Sequence, residues 1–276
     1  MPDDTAPVYT LGHGERELRR LAMQAEYWGD FTLDVLRRAG LGAGMRVLDL
    51  GSGAGDVSML AASLVGPGGH VLGVDRSPES VERAALRASA SELANVEFIA
   101  ADIGSFDPPG TYDAIIGRYV LMYFADPAAV LSRLTRSVRP GGIVAFMEAD
   151  LVSARSVPPV SLIDDTLDLV RETFRRAGAA LDLGPRLWRV FRAVGVERPE
   201  IVVGARADPA PAEAATELLA ETTRSLLIMM ERLGVRAAAD MEIDTLAERF
   251  RGALLDHQAT LILPNVVGTY GRLSQR

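Results

Sequence analysis

Apolar and polar positions along the chain follow two periods that alternate. Over residues 14–40 the period is helical. Leu18, Leu21, Ala22 and Ala25 share one face, and Phe31, Val35 and Ala39 repeat every four residues, which predicts two helical segments. Gly40-Leu41-Gly42-Ala43-Gly44 closes that unit. Short apolar runs then alternate with amphipathic stretches. Strands are predicted at 45–51, 70–76, 96–102, 112–119 and 142–149, and helices at 56–65, 78–93 and 127–138. Ser77-Pro78 and Asp126-Pro127 each set a capping side chain before a proline at the first helical position. Apolar strands separated by helices argue for a parallel, doubly wound sheet.

After Asp150 the rhythm changes. The pattern predicts a helix at 160–178, a strand near 198–207, helices at 211–234 and 241–256, and a last strand at about 259–273. Leu219, Leu226, Met230 and Leu233 fit one face of the first inserted helix. Two late strands around a helical pair predict a hairpin at one sheet edge, with the insert as a cap.

A chain of 276 residues, 48% of them hydrophobic, can bury a substantial core. It has no run of about 18 apolar residues, so no membrane partner is expected. Met1-Pro2-Asp3-Asp4 carries no signal-peptide pattern, and a cytoplasmic location is expected. A net charge of -8 has the wrong sign for gripping phosphate backbones, so no nucleic-acid partner is expected either. There is no cysteine, which removes thiolate nucleophiles and thiolate metal ligands. There is no lysine, which removes Schiff-base chemistry.

Val47 to Gly55 read Val-Leu-Asp-Leu-Gly-Ser-Gly-Ala-Gly, a short apolar strand ending in a glycine-rich turn. Glycine lets a flat, polar ligand lie against bare backbone. The helix that starts at about Asp56 adds N–H donors and partial positive charge. Asp75 lies 24 residues beyond Gly51, at the end of the next strand, where an acid can grip a ribose diol. A nicotinamide dinucleotide is disfavoured. Asp56 occupies the position of the last glycine of G-x-G-x-x-G, and an acidic helix start repels a pyrophosphate.

These residues resemble the class I S-adenosylmethionine-dependent methyltransferases. Asp49-Leu50-Gly51-Ser52-Gly53-Ala54-Gly55 is similar to the family's first motif, and Val74-Asp75 to its ribose-binding acid. Ala101-Asp102-Ile103 is similar to the adenine-contacting segment, and Arg139-Pro140-Gly141-Gly142 to the turn entering the fifth strand. The resemblance is close over about 45–150. It implies an α/β fold with a doubly wound, mostly parallel, Rossmann-like seven-stranded sheet. Residues 1–44 would form an N-terminal helical lid, 45–210 and 257–276 the core, and 211–256 a helical cap inserted before the last strand. The implied cofactor is S-adenosyl-L-methionine, leaving S-adenosyl-L-homocysteine. Its implied contacts are Gly51, Ser52, Gly53, Asp75, Arg76, Asp102 and Ile103, with Gln24 from the lid. Asp49 either joins them or braces the glycine loop. Arg118 either holds the cofactor or makes an outward salt bridge.

The fourth strand lacks the D/N-P-P-Y/F motif of nucleobase amine methylases, and cytosine C5 methylation needs a cysteine. A small-molecule acceptor is therefore expected, methylated at carbon or oxygen. The layout resembles bacterial natural-product methyltransferases, including indole C-methylating enzymes, and more distantly the quinone-biosynthesis type. N-methylation and a non-catalytic, cofactor-binding regulatory protein are the alternatives. Tyr9 and Trp28 offer aromatic faces to a sulfonium or an aromatic acceptor. Tyr119, Met122 and Tyr123 either wall the acceptor or pack in the core. Glu148 sits near the carboxyl end of the fifth strand and is a further substrate contact. The base candidates are His13, His257, Glu26, Glu148 and Tyr27. His70, at the far end of the sheet, reads as solvated. No metal is expected; a weaker option pairs Glu148 and Asp150 with a third acid around Mg²⁺. An apolar cap is compatible with a homo-oligomer.

Overall fold

The structure, a computed structural model, describes residues 15–275. The expectations for Tyr9 and His13 lie outside the described residues. The first half alternates as β1 (Arg46–Leu50), α2 (Asp56–Val65), β2 (His70–Asp75), α3 (Pro78–Ala90), β3 (Val96–Ala100), β4 (Tyr112–Arg118), α4 (Pro127–Leu134) and β5 (Val138–Asp150), preceded by α1 (Glu15–Ala39). The second half runs β6 (Arg155–Val157), α5 (Ser161–Arg176), α6 (Leu183–Ala193), β7 (Glu200–Gly204), β8 (Asp208–Pro209), α7 (Glu213–Arg232), α8 (Leu246–Asp256), β9 (Thr260–Ile262) and β10 (Asn265–Arg272).

The main sheet has seven strands in the order β3-β2-β1-β4-β5-β10-β7. The first five are parallel; β10 is antiparallel to both of its neighbours. Strand order reverses between β1 and β4, and in open sheets of this type ligands bind in the crevice beyond that point. Leu50 is level with Val74 on one side and Gly117 on the other, so Gly51, Asp75 and Arg118 emerge together. Burial on both faces explains the continuous apolar strands. Val47 packs into a core shared with α1, α2, α7 and α8, and Leu48 and Leu50 into one shared with α4, α5 and α6.

Three features differ from the sequence expectation. Residues 15–39 form one continuous helix, not two. Gly29 costs such a helix about 1 kcal/mol relative to alanine, and burial of Tyr27, Trp28, Val35 and Leu36 on either side of it outweighs that cost. The last strand is split. Pro264 has no N–H to donate, and the chain changes sheets there. β9 joins a separate three-stranded sheet, β6-β9-β8, while β10 enters the main one. Helix α6, whose Leu183, Leu187, Val190 and Phe191 are buried, had been passed over. No helix among the described residues is long and apolar enough to cross a membrane.

Candidate active site

A cavity of about 1750 Å³, its mouth included, opens at the carboxyl ends of β1, β2 and β4. One end is walled by the glycine turn. Gly51 has φ +65°, and a Cβ there would stand 2.7 Å from Val120 Cγ2, so only glycine lets the turn pack down on Val120. Gly53 differs: at φ +51° the space over its Cα is open, the nearest atom being Leu21 Cδ1 at 3.9 Å. Its bare backbone is a cradle that a side chain would fill.

Asp75 closes this end. Its Oδ2 accepts from the Gly53 N–H and its Oδ1 from the Ser77 N–H, both at 2.9 Å. A carboxylate has about four acceptor positions, so two remain for a diol. Ser52 Oγ is buried in the cavity wall and has no hydrogen-bond partner among the described residues. Arg76, Asp102 and Ile103 also line this end. Asp56 at the start of α2 pairs with Arg87 (Nη2 to Oδ1, 2.7 Å), so its charge is neutralised locally. An open backbone cradle, an unpartnered hydroxyl and a free-edged carboxylate fit an adenosyl group with its ribose.

Toward α1 the wall is formed by Gln24, Trp28, Arg118, Tyr119, Met122 and Tyr123, all anticipated. Trp28 packs edge-on against Tyr27 and Phe31, with ring centroids 5.1 and 6.4 Å away. Arg118 turns inward: its Nη1 donates to Thr32 Oγ1 at 2.7 Å, and its guanidinium lies 5.7 Å from the Tyr119 ring centre. Tyr119 has φ +56°, a left-handed conformation that strains a bulky residue. Burial pushes its phenol well above the usual range.

Five expected site residues lie elsewhere. Asp49 is fully buried beneath the glycine turn and accepts from Ser58 Oγ at 2.5 Å; it braces the turn and does not line the cavity. Glu148 is likewise fully buried, its Oε1 accepting from the N–H groups of Val120 and Leu121 at 3.0 and 2.7 Å. It fastens the segment carrying Tyr119 and Met122 and does not reach the substrate space. Burial pushes both carboxyls up to about 7. Tyr27 donates from its hydroxyl to Asp208, with Arg206 stacked 3.9 Å from its ring centre; this clasp ties α1 to β8 outside the cavity wall. Tyr27→Phe is expected to lower stability by about 1–2 kcal/mol while leaving transfer of labelled methyl intact. Loss of turnover at unchanged melting temperature would restore Tyr27 as a base. Glu26 is exposed on α1, and His257 is exposed at the end of α8 with Nδ1 2.9 Å from Ala253 O; neither lines the cavity. Among the described residues no three acids or histidines cluster as metal ligands, so Glu148 and Asp150 lack the third acid of the Mg²⁺ option.

Other wall residues were missed. Glu17, Arg20 and Leu21 come from α1, Leu167, Val170 and Phe174 from α5, and Leu218, Leu219 and Thr222 from α7. The 3–4 spacing of Ile163, Leu167, Val170 and Phe174 signalled a buried stripe, though not what it would face.

Comparison with known proteins agrees with this geometry. A family profile described as a methyltransferase domain matches residues 41–181. The chain is 37% identical over 121 residues to an arsenite methyltransferase of Halobacterium salinarum, covering 44% of this chain and 30% of that protein. It is 36% identical over 117 residues to a trans-aconitate 2-methyltransferase of Methylobacterium nodulans, covering 42% and 43%. The chain thus spans less than half the length of these curated relatives. Its fold is similar to that of phosphoethanolamine N-methyltransferase 2 of Haemonchus contortus, solved with phosphomonomethylethanolamine and S-adenosylhomocysteine; the TM-score is 0.55 at 20% identity, covering 89% of this chain and 53% of that one. The matched domain takes in β1 to β5 and every strand end that shapes the polar part of the cavity, and on that match the chain belongs to the methyltransferase-domain family, the class I S-adenosylmethionine-dependent methyltransferases.

Proposed function

We propose that the chain transfers a methyl group from S-adenosylmethionine to a carbon or oxygen of a small aromatic molecule, of indole or phenol type, in the cytoplasm. The observation that carries this reading is one cavity with two unlike ends: bare backbone and carboxylates at the glycine turn, and apolar side chains from α1, α5 and α7 beyond it. The cofactor supplies an activated methyl group on a sulfonium. Gly53, Ser52 and Asp75 would hold its adenosyl part, with Asp102 and Ile103 beside the adenine and Gln24, Arg76 and Arg118 as further contacts. Residues 1–44 act as a lid and 211–256 as a cap; Trp28, Leu218 and Leu219 exclude water from the acceptor. Met122 and Tyr123 press on its ring from the β4 side.

Alignment and desolvation are the main contributions asked of the protein. Holding the acceptor in line can supply roughly 7–11 kcal/mol. Among the described residues the cavity wall contains no histidine. The relatives act on arsenite and trans-aconitate by name, chemically far apart; the apolar end of this cavity is what supports an aromatic acceptor.

The test has two arms. Calorimetry should show S-adenosylhomocysteine binding, weakened about tenfold or more by Asp75→Ala through the loss of charged hydrogen bonds. Methyl-labelled cofactor, incubated with a panel of indoles and phenols, should label an aromatic compound. Unchanged affinity in Asp75→Ala removes the ribose assignment; label found only on aliphatic amines or acids removes the aromatic one.

A further inference from the structure

We propose that Glu17 is a specificity-determining residue, accepting a hydrogen bond from an N–H or O–H of the aromatic acceptor; this rests on the methyl-transfer reading above. Glu17 and Arg20 are 5% and 2% exposed, yet both lie in the cavity wall. Arg20 grips the carboxylate with two prongs, Nη2 2.6 Å from Oε1 and Nε 2.9 Å from Oε2. Ser225 of α7 adds a third donor, its Oγ 2.7 Å from Oε2. About four acceptor positions exist on a carboxylate, so one is left by the donors among the described residues.

Position gives that site its meaning. Ser225 follows the wall residue Thr222 by three positions on α7, so its bond holds the Glu17 carboxylate at the seam of two helices that wall the apolar end, while Leu21, one helical turn on, faces the Gly53 cradle. Among the described residues, Glu17 is the one acid that α1, α5 and α7 supply to the wall; Asp56, Asp75 and Asp102 belong to the cofactor end. The others from these helices are largely apolar, Leu21, Val170, Phe174 and Leu218 among them. A buried ion pair is often no more stabilising than apolar residues of the same volume. Its presence in such a wall is accounted for by a ligand whose polar hydrogen meets the remaining lone pair. A ring without that hydrogen would bury the oxygen unpaired, a mismatch that discriminates strongly between otherwise similar ligands.

The experiment uses the full chain saturated with S-adenosylhomocysteine and two probes, indole and 1-methylindole, which share a ring but differ in the N–H. Ligand-observed NMR titration is expected to show indole binding at least tenfold more tightly. The double variant Glu17→Leu/Arg20→Leu, which leaves no lone buried charge, should lose that preference and keep its calorimetric affinity for S-adenosylhomocysteine. If the double variant does not fold, Glu17→Gln should lower the preference at least threefold. Equal affinities in the wild type, no binding of indole, or a preference that survives substitution overturns the proposal. So does a tenfold loss of S-adenosylhomocysteine affinity in the double variant, which would give the pair to the cofactor's amino-acid end. Failure of the wild type to bind S-adenosylhomocysteine at all would instead strike down the methyl-transfer reading, and this proposal with it.

Discussion

Gly51→Ala is expected to weaken S-adenosylhomocysteine binding by roughly thirtyfold to a thousandfold or more. The left-handed backbone at φ +65° costs an L-residue about 1–2 kcal/mol. The added methyl would lie 2.7 Å from Val120 Cγ2 and 2.8 Å from its Cβ, and overpacking of that kind adds about 1–3 kcal/mol. Val120 has little room to retreat, because its N–H donates to the buried Glu148 and its side chain is buried against β4 and β5. The strain is therefore relieved by lifting the turn, which carries the Gly53 cradle away from Asp75. Calorimetry against wild type measures the effect, with circular dichroism to show that the fold persists. An affinity within threefold of wild type would refute the packing argument.

Stability is expected to fall as pH rises from about 5 to about 8, which is the opposite of the common behaviour of carboxylates. Asp49 and Glu148 are raised to about 7 by burial; the Ser58 hydroxyl and the Arg118 charge hold Asp49 back only partly, as do the N–H groups of Leu121, Val120 and Met122 for Glu148. In the unfolded chain both would titrate near 4. Between those values the folded protein holds protons that the unfolded chain has released, so each pH unit lowers stability by up to about 1.4 kcal/mol per group. Their contribution is fully present below about pH 4 and is gone above about pH 7. One oxygen of each, Asp49 Oδ1 and Glu148 Oε2, is buried with no partner among the described residues, consistent with a protonated group. Glu172, lowered to about 2 by the hydrogen bonds from Arg175 and Arg176, acts in the opposite sense but below the window. Urea unfolding at pH 5, 6.5 and 8 measures the slope. Asp49→Asn and Glu148→Gln should each flatten it; a slope unchanged in both would refute the assignment.

The alternation from β1 to β5 was legible because each element is specified within its own ten or so residues. The glycine turn and Asp75 were legible for the same reason. Glu148 was read as a substrate contact, and Asp49 as either a cofactor contact or a brace, because both stand near strand ends; strand parity buries both. Asp49 shares a face with Val47, and Glu148 with Phe146 and Val144, so both side chains sink into the layers under the helices. What failed more broadly was anything built across distance. Glu17 meets Ser225 across 208 residues, and Tyr27 meets Asp208 across 181. No local period encodes such meetings. Strands of two and three residues, such as β8 and β6, are too short to show any period at all.

The antiparallel β10 has a consequence for how the protein is made. It fills an interior slot, hydrogen-bonded to β5 on one side and β7 on the other, yet it follows both in the chain. A ribosome therefore delivers the keystone after both of its neighbours. Until Asn265–Arg272 emerges, β5 and β7 each present an open edge, the state in which nascent chains are most prone to pair with the wrong neighbour. Synthesis of this fold leaves the inner edge of β5 bare over the whole stretch of chain between Asp150 and Asn265, and covers it only when β10 arrives.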